Sequence, residues 1–302
     1  MVFLHSLALD VLLSDSISLM RLHRGSHSRL MHESLTVIGI ILIGMALRSC
    51  RRRVFRKVGA LVYLLASGII VYFLSGNIPL SVASIFVWFF LPWIELGSRI
   101  RKLRLPLENH LHEEKSPRLQ QFPEAVHSID ELETLDFEHS SDYSWDWAGS
   151  AQHYSFYWHP EERAVITVCL CKQANIAFSY ITISSRTSDG KIYRTSNFPF
   201  SPTLKNSPAV AWNQIACRHC SLEQSLDSHK RFIKKKGGLL DNLMMPDPDI
   251  LNEEVEKDMR DQIRHNLDSG IIAITENGKF RYSFRGLCFL WKQFIKDMIR
   301  LS

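Results

Sequence analysis

The stretch "LRSCRRRVFRKVGALVYLL" (residues 47–65) places six cations within ten positions and then carries no further charge. The next charged residue after Lys57 is Glu95, so a long apolar run borders the basic cluster. Basic residues flank the cytoplasmic ends of transmembrane helices, which explains why a chain would concentrate positive charge at such an edge. This stretch therefore predicts a membrane protein.

Three apolar segments surround the basic cluster. They are "LTVIGIILIGMAL" (35–47), "GALVYLLASGIIVYFL" (59–74) and "IPLSVASIFVWFFLPWIEL" (78–96). A helix needs about 20 residues to cross the hydrocarbon core. The third segment is long enough by itself, the second needs one more residue at each end, and the first needs the polar residues 32–34. We predict two to three N-terminal transmembrane helices, over 32–49, 58–75 and 78–97, within a membrane region 31–104.

The positions of the cations predict the orientation of these helices. Ten basic residues determine it: Arg48, Arg51, Arg52, Arg53, Arg56, Lys57, Arg99, Arg101, Lys102 and Arg104. The short connection between the second and third segments, "SGN", has no charge. Because positive residues in short loops stay in the cytoplasm, we predict an integral membrane protein whose soluble domain and C-terminus are cytoplasmic.

The formal net charge of +5 has two unlike parts. Residues 1–104 contain 13 Lys and Arg against 4 Asp and Glu, a net charge of +9, and residues 105–302 contain 23 against 27, a net charge of −4. The basic excess therefore belongs to the membrane flanks. A nucleic-acid partner is not expected, because such partners attract a basic domain.

Residues 1–30 form a tail that does not fit the orientation. If the first segment spans, Arg21, Arg24 and Arg29 lie outside the cytoplasm. The tail also lacks the early cation of a signal peptide. Two interpretations stay open: the functional chain starts at Met31, or it starts at Met1 with an unstructured translocated tail.

The soluble part begins with an acidic linker, 105–138, in which residues 129–135 predict one short helix. An α+β domain, 139–240, follows. Four segments with apolar or alternating patterns predict an antiparallel sheet, and they are 153–159, 163–171, 176–184 and 191–196. A helix then starts at Ser221, where Gln224 completes a capping box, and it ends at Gly237-Gly238.

The C-terminal part, 247–302, predicts a helix, a hairpin and a second helix. Apolar residues recur every four positions over 249–267, Asn277-Gly278 suits a tight turn, and the final helix has an apolar stripe. We expect that stripe to cover the alternating hairpin residues Ile272, Ile274, Phe280 and Tyr282. This order, with "RYSFRG" leading into the last helix, resembles the wing of a winged-helix domain over about residues 250–302. The resemblance implies a shape, while the helix 249–267 carries more acids than bases.

The stretch "SDYSWDWAGSAQHYSFYWH" (141–159) is dense in aromatic and polar side chains. Such a mixture lines ligand pockets, and it also occurs where core aromatics alternate along a sheet edge. The candidate ligand-binding residues are Asp142, Trp145, His153, Tyr157 and His159.

Metal binding has weak candidates in Cys169, Cys171, Cys217, His219 and Cys220, because thiolates and imidazoles at short spacings suit zinc. Cysteine is also among the most buried residue types, and Cys169 and Cys171 lie inside an apolar strand. We expect no metal and no cofactor, and free thiols in a reducing cytosol.

No phosphate loop, nucleophile elbow, zinc-protease helix motif or dinucleotide fingerprint is present in the sequence. We therefore favour a membrane-anchored cytosolic interaction or scaffold module over an enzyme, with the lipid bilayer and another protein as partners. One alternative is a membrane-bound enzyme with its site between His139 and His159. Another is a membrane-tethered regulator with a winged-helix-like C-terminus.

Overall fold

The computed structural model describes residues 27–50, 52–108, 110–114, 119–147, 150–173, 176–215, 220–275 and 278–301. The protein is α+β, with three apolar helices followed by a sheet-and-helix domain. It forms two compact units: one reaches to Leu91 and includes the chain end from Ile299, and the other spans Pro92–Met298. The predicted tail 1–30 lies almost entirely outside the described residues.

The three N-terminal helices are α1 (His27–Arg48), α2 (Arg53–Ser75) and α3 (Ile78–Ser98). Each is long and apolar enough to cross a membrane. All three predicted helices are thus present, and α1 and α2 begin about five residues earlier than predicted. Gly76 ends α2 with a left-handed φ of 65°, a conformation that glycine adopts without strain.

Small residues bring the first three helices close together. A Cβ atom added to Gly59 on α2 would lie 2.9 Å from the backbone oxygen of Gly44 on α1. Gly68 lies farther along α2, and its carbonyl accepts a hydrogen bond of 2.6 Å from the Ser81 hydroxyl of α3. Close backbone approach at small residues, joined by hydroxyl hydrogen bonds, is typical of helix packing in membranes.

The unit Pro92–Met298 contains ten strands in its described residues. They are β1 (Leu105–Pro106), β2 (His112–Glu113), β3 (Glu138–Trp147), β4 (Ser150–His159), β5 (Ala164–Gln173), β6 (Ile176–Arg186), β7 (Ile192–Ser196), β8 (Val210–Gln214), β9 (Ile272–Thr275) and β10 (Lys279–Tyr282). The helices after α3 are α4 (Pro123–Thr134), α5 (Leu222–Lys235), α6 (Leu251–Asp268) and α7 (Phe284–Leu301), and α7 lies in this unit up to Met298.

The main sheet has seven strands in the order β2-β3-β4-β5-β6-β7-β8. Neighbouring strands are antiparallel except β7 and β8, which are parallel. The four predicted strands are confirmed as β4 to β7. Strands β2, β3 and β8 were not predicted from the sequence. Strand β3 has many polar residues, which suggested a binding segment rather than a strand. Strands β2 and β8 are too short to show a periodic pattern in the sequence.

Helices cover both faces of this sheet. On one face, α4 and α5 pack over a core that includes Ile166, Leu170 and Leu132. On the other face, α6 packs Leu251 against an aromatic cluster on β3 and β4 that contains Phe156. Burying one such side chain contributes about 1.5–3 kcal/mol. The segment 105–138, predicted as an acidic linker, holds β1, β2 and α4.

A second core lies around the small sheet β1-β10-β9. The predicted hairpin is present, and α7 covers it with the buried residues Leu287 and Leu290. The expectation for Ile274 is wrong, because this side chain is 64% exposed. Leu96, near the end of α3, is completely buried in the same core. Met259 of α6 contacts both this core and the aromatic cluster on the main sheet, so α6 joins the two.

Candidate functional site

The five predicted ligand-binding residues lie on β3 and β4, but they do not share one face of the sheet. Trp145 is buried beside Phe156 and Leu251 on the α6 side. Tyr157 follows Phe156 directly and is buried in the core under α4 and α5. Because successive side chains of a strand point to opposite faces, Trp145 and Tyr157 do not line a common pocket.

His139 contacts both Asp142 and Tyr157, two of the predicted residues. The Asp142 Oδ1 atom lies 3.1 Å from His139 Nε2, and the His139 ring meets the Tyr157 ring edge-on with centroids 5.1 Å apart. Burial, with the negative charges of Asp142 and Glu133, raises the pKa of Tyr157 to about 12. Its phenol is therefore protonated at neutral pH.

The two predicted histidines occupy different parts of β4. His159 accepts a hydrogen bond of 3.2 Å from the Glu162 backbone N–H at its Nδ1 atom, and its ring packs edge-on against Phe137. It therefore stabilises the turn into β5. His153 pairs across the strands with Ser144, and its buried Nδ1 atom has no hydrogen-bond partner among the described residues.

A buried polar network lies between α5 and the sheet. His229 Nδ1 is 2.8 Å from the Thr195 hydroxyl, and His229 Nε2 is 3.2 Å from the Ser185 hydroxyl. His229 is buried on the face of α5 that also carries Leu226 and Ile233. A sequence pattern alone gives no sign of its two hydroxyl partners, since they come from β6 and β7.

The hydrogen-bond directions in this network argue against nucleophilic catalysis. The Ser185 hydroxyl donates to the Arg163 carbonyl at 2.9 Å, so it accepts from the His229 Nε2–H group. An activated serine would instead donate its proton to the imidazole. Burial, and then the charge of Lys230, lowers the pKa of His229 to about 4, which keeps the ring neutral.

Two cavities border the face of the sheet under α4 and α5. One of about 320 Å³ lies beside His229 and is also lined by Glu162, Lys230 and Asp241. The other, of about 260 Å³, lies between α4 and β6 and includes Glu131. Neither is lined by a predicted ligand-binding residue. Lys230 and Glu162 form an ion pair of 2.6 Å at the rim of the first cavity.

The predicted metal candidates divide into two groups. Cys169 and Cys171 are buried free thiols on β5, and burial raises the pKa of Cys171 to about 11. Cys217 and His219 lie outside the described residues, while Cys220 is disulfide-bonded. The expectation of free thiols is therefore wrong for Cys220. Within the described ranges, no three His, Cys, Asp or Glu side chains come together to hold a metal ion.

Strand β8 forms one edge of the main sheet, because β7 is its single neighbour among the described strands. The backbone N–H of Ile192 donates to the Ala209 carbonyl, and the N–H of Ile215 donates to the Ser196 carbonyl. Backbone groups alternate in direction along a strand, so the odd-numbered residues of β8 bond to β7. The N–H and C=O groups of Trp212 and Gln214 consequently point away from the sheet.

An aromatic patch adjoins this edge. It consists of Phe178, Tyr180, Phe198 and Phe200, whose successive ring centroids are 4.8–6.3 Å apart. The Gln214 side chain on β8 donates hydrogen bonds to the carbonyls of Phe198 and Phe200, at 2.6 and 3.0 Å. These bonds fix the patch beside the open edge. Phe200 is 45% exposed, and Phe178, Tyr180 and Phe198 are half-buried residues.

Comparison of the chain with protein-family models, with curated proteins and with solved structures finds no match in any of the three.

Proposed function

We propose that the protein is a membrane-anchored module that binds an extended segment of a partner protein along the edge of β8. The observation that carries this proposal is that the outward backbone groups of Trp212 and Gln214, next to the aromatic patch, have no backbone partner among the described residues. A free sheet edge presents donors and acceptors in the spacing of another strand. An extended peptide that joins such an edge gains main-chain hydrogen bonds, and neighbouring pockets select its side chains.

The composition of β8 supports this role. Its sequence, "VAWNQ", contains no charge and no proline, which are the residues that usually protect an exposed edge from pairing. The indole N–H of Trp212 is also buried without a hydrogen-bond partner among the described residues. Leaving a buried donor unpaired costs about 1–3 kcal/mol.

Membrane anchoring is the other half of the proposal. Helices α1 to α3 supply three spans of suitable length and hydropathy, and their contacts at Gly59 and Gly68 are of the kind that membrane helices use. The basic residues at 48–57 and 99–104 favour a cytoplasmic location for the domain that follows. The protein would thus hold its β8 edge near the inner surface of a membrane.

The experiment compares two substitutions at one position. Trp212→Ala removes the side chain and keeps the outward N–H, whereas Trp212→Pro removes both and leaves the ladder to β7 intact. A photoreactive residue at Phe200 should crosslink the unsubstituted protein to one discrete partner in cells. We expect Trp212→Pro to abolish this crosslink and Trp212→Ala to retain part of it. Equal crosslinking by both variants would overturn the edge as the binding site.

A second candidate function is a membrane-tethered regulator with a winged-helix-like C-terminus, and it has weaker support. The hairpin β9-β10 follows α6 and precedes α7 in the chain, as a wing would. However, six acidic residues lie on α6, namely Glu253, Glu254, Glu256, Asp258, Asp261 and Asp268. Such a helix repels a nucleic-acid backbone. A regulatory role through this element would therefore act through protein contacts.

A further inference from the structure

Helix α7 has one buried face and one exposed face of different chemistry. Leu287 and Leu290 are buried in the second core. On the other side, Arg285, Lys292 and Lys296 are all exposed, and their spacing of seven and four residues places them on one face of the helix. Phe284, at the start of α7, is 75% exposed.

The acidic residue of α7 does not weaken this positive face. Asp297 is buried, and it accepts hydrogen bonds from the Ser201 backbone N–H at 2.8 Å and from the Ser201 hydroxyl at 2.7 Å. Its charge is thus directed toward the loop that connects β7 with β8. The cationic face of α7 therefore has no acidic residue from its own helix, and the Phe284 ring is exposed at the start of the helix.

Trp93 places the start of α7 next to the end of α3. Its ring centroid lies 6.1 Å from that of Phe284 and 6.3 Å from that of Trp291. Tryptophan is enriched at the depth of the lipid headgroups, where its apolar ring and its N–H group are both accommodated. Since α3 is a candidate membrane span, an exposed phenylalanine in contact with Trp93 lies at a level where lipid can cover it.

The chain directly after α3 adds more positive charge at the same place. Arg99, Arg101, Lys102 and Arg104 are exposed, and the turn Ile100–Lys102 packs against β10. Strand β10 in turn exposes Lys279 and Arg281. Arg99 has an acidic neighbour, Glu95, at 3.3 Å. The surroundings of Trp93 thus contain several exposed cations, one of which is paired with Glu95.

We propose that α7, with the segment 99–104, binds the anionic phospholipid headgroups of the bilayer that the N-terminal helices cross. This inference rests on the membrane anchoring in the proposed function. Amphipathic helices with cations beside exposed aromatic residues lie in the interface of anionic membranes. The α7 surface would then fix the orientation of the domain on the membrane and leave the β8 edge free for a protein.

The test uses the purified full chain in nanodiscs of phosphatidylcholine alone or with added phosphatidylserine, and no other protein. The rate of lysine acetylation at each site is measured by mass spectrometry. We expect Lys292 and Lys296 to react more slowly with phosphatidylserine present, by at least about threefold, since one cation near an anionic surface is favoured about fivefold. Lys234, Lys235 and Lys236, exposed at the end of α5, are the internal control and should not change.

Salt and a matched pair of variants complete the test. Protection should disappear in about 1 M salt, where the screening length falls to about 3 Å. The variant Lys292→Glu/Lys296→Glu should retain less phosphatidylserine through purification than Lys234→Glu/Lys235→Glu, which changes the net charge equally. Unchanged acetylation of Lys292 and Lys296, or equal lipid retention by the two variants, would overturn the proposal. Neither result depends on the Trp212 crosslinking, so the two proposals fail separately.

Discussion

Arg186 on β6 donates two parallel hydrogen bonds to Asp258 on α6, at 3.0 and 2.7 Å. Arg194 on β7 donates a third to the same carboxylate, at 2.8 Å. The Asp258 side chain is only 8% exposed. Burial acts to lower the pKa of Arg186, but the hydrogen bonds and charges of Asp258 and Glu254 outweigh it and raise the pKa. These contacts attach α6 to the strands that lead to the β8 edge.

Replacing Asp258 should destabilise the domain strongly. Asp258→Asn leaves two partly buried guanidinium groups without their shared carboxylate, and breaking such a buried pair costs about 3–5 kcal/mol. Glu254 also pairs with Arg186, at 2.9 Å, but its side chain is 30% exposed. Glu254→Gln should therefore cost less than about 1 kcal/mol. Urea unfolding of the purified chain in detergent measures both, and equal losses in the two variants would contradict this account.

Stability should fall as the pH drops from about 6.5 to about 4. The pKa of His229 is about 4 in the folded protein, below the ordinary value of 6.5, so the unfolded chain binds the proton first. The contribution is complete above pH 6.5 and is lost as the pH approaches 4, up to about 3 kcal/mol. His229→Gln removes the titrating ring, and its unfolding free energy should lose this part of the pH dependence. A variant with the unchanged pH profile would show that other groups cause the effect.

The end of α3 should matter for the soluble domain. Leu96→Ala opens a cavity in the second core, where Leu96 is fully buried, and such changes cost about 2–5 kcal/mol. Ile94 lies on the same helix but is 66% exposed, so Ile94→Ala is the matched control with little effect. Thermal unfolding measures the stability of the two variants, and equal midpoints would contradict this prediction. For the same reason, a fragment that starts at residue 105 should be less stable than one that starts at 92.

Thiol labelling should follow burial. Cys50 is exposed, so it should react first with a maleimide in the native protein. Burial raises the pKa of Cys169 well above its ordinary value, and the thiolate is the reactive form. Cys169 and Cys171 should therefore label only after denaturation, as peptide mass spectrometry would detect. Native labelling of Cys169 at the rate of Cys50 would mean that β5 is not a central strand.

A topology reporter tests the orientation. An enzyme that is active only outside the cytoplasm, fused after Ser302, should be inactive, whereas the same enzyme inserted at Gly76 should be active. The basic residues around α2 and α3 are the reason for this expectation. The opposite pattern would place the domain outside the cytoplasm. The disulfide of Cys220 makes the measurement useful, because stable disulfides are rare in the cytosol.

The sequence by itself determined the apolar helices, the helix cap and the hairpin turn, because each of these depends on residues that are close together in the chain. The apolar segments predicted α1 to α3 because length and hydropathy are properties of one continuous stretch. The Ser221 hydroxyl accepts a hydrogen bond from the Gln224 N–H, as its capping position predicted. Gly278 adopts a φ of 64° at the predicted hairpin turn, since the tight turn requires a residue that tolerates this angle.

The tertiary structure alone decided which distant residues meet. Trp145 and Tyr157 belong to one aromatic-rich stretch, yet they lie on opposite faces of the sheet because strand residues alternate. Asp258 is 72 residues from Arg186 in the chain, and no local pattern reports that contact. The parallel pairing of β8 with β7 likewise comes from a long-range return of the chain. The β8 edge and the α7 surface, on which the two proposals rest, exist because packing buried the other sides of these elements.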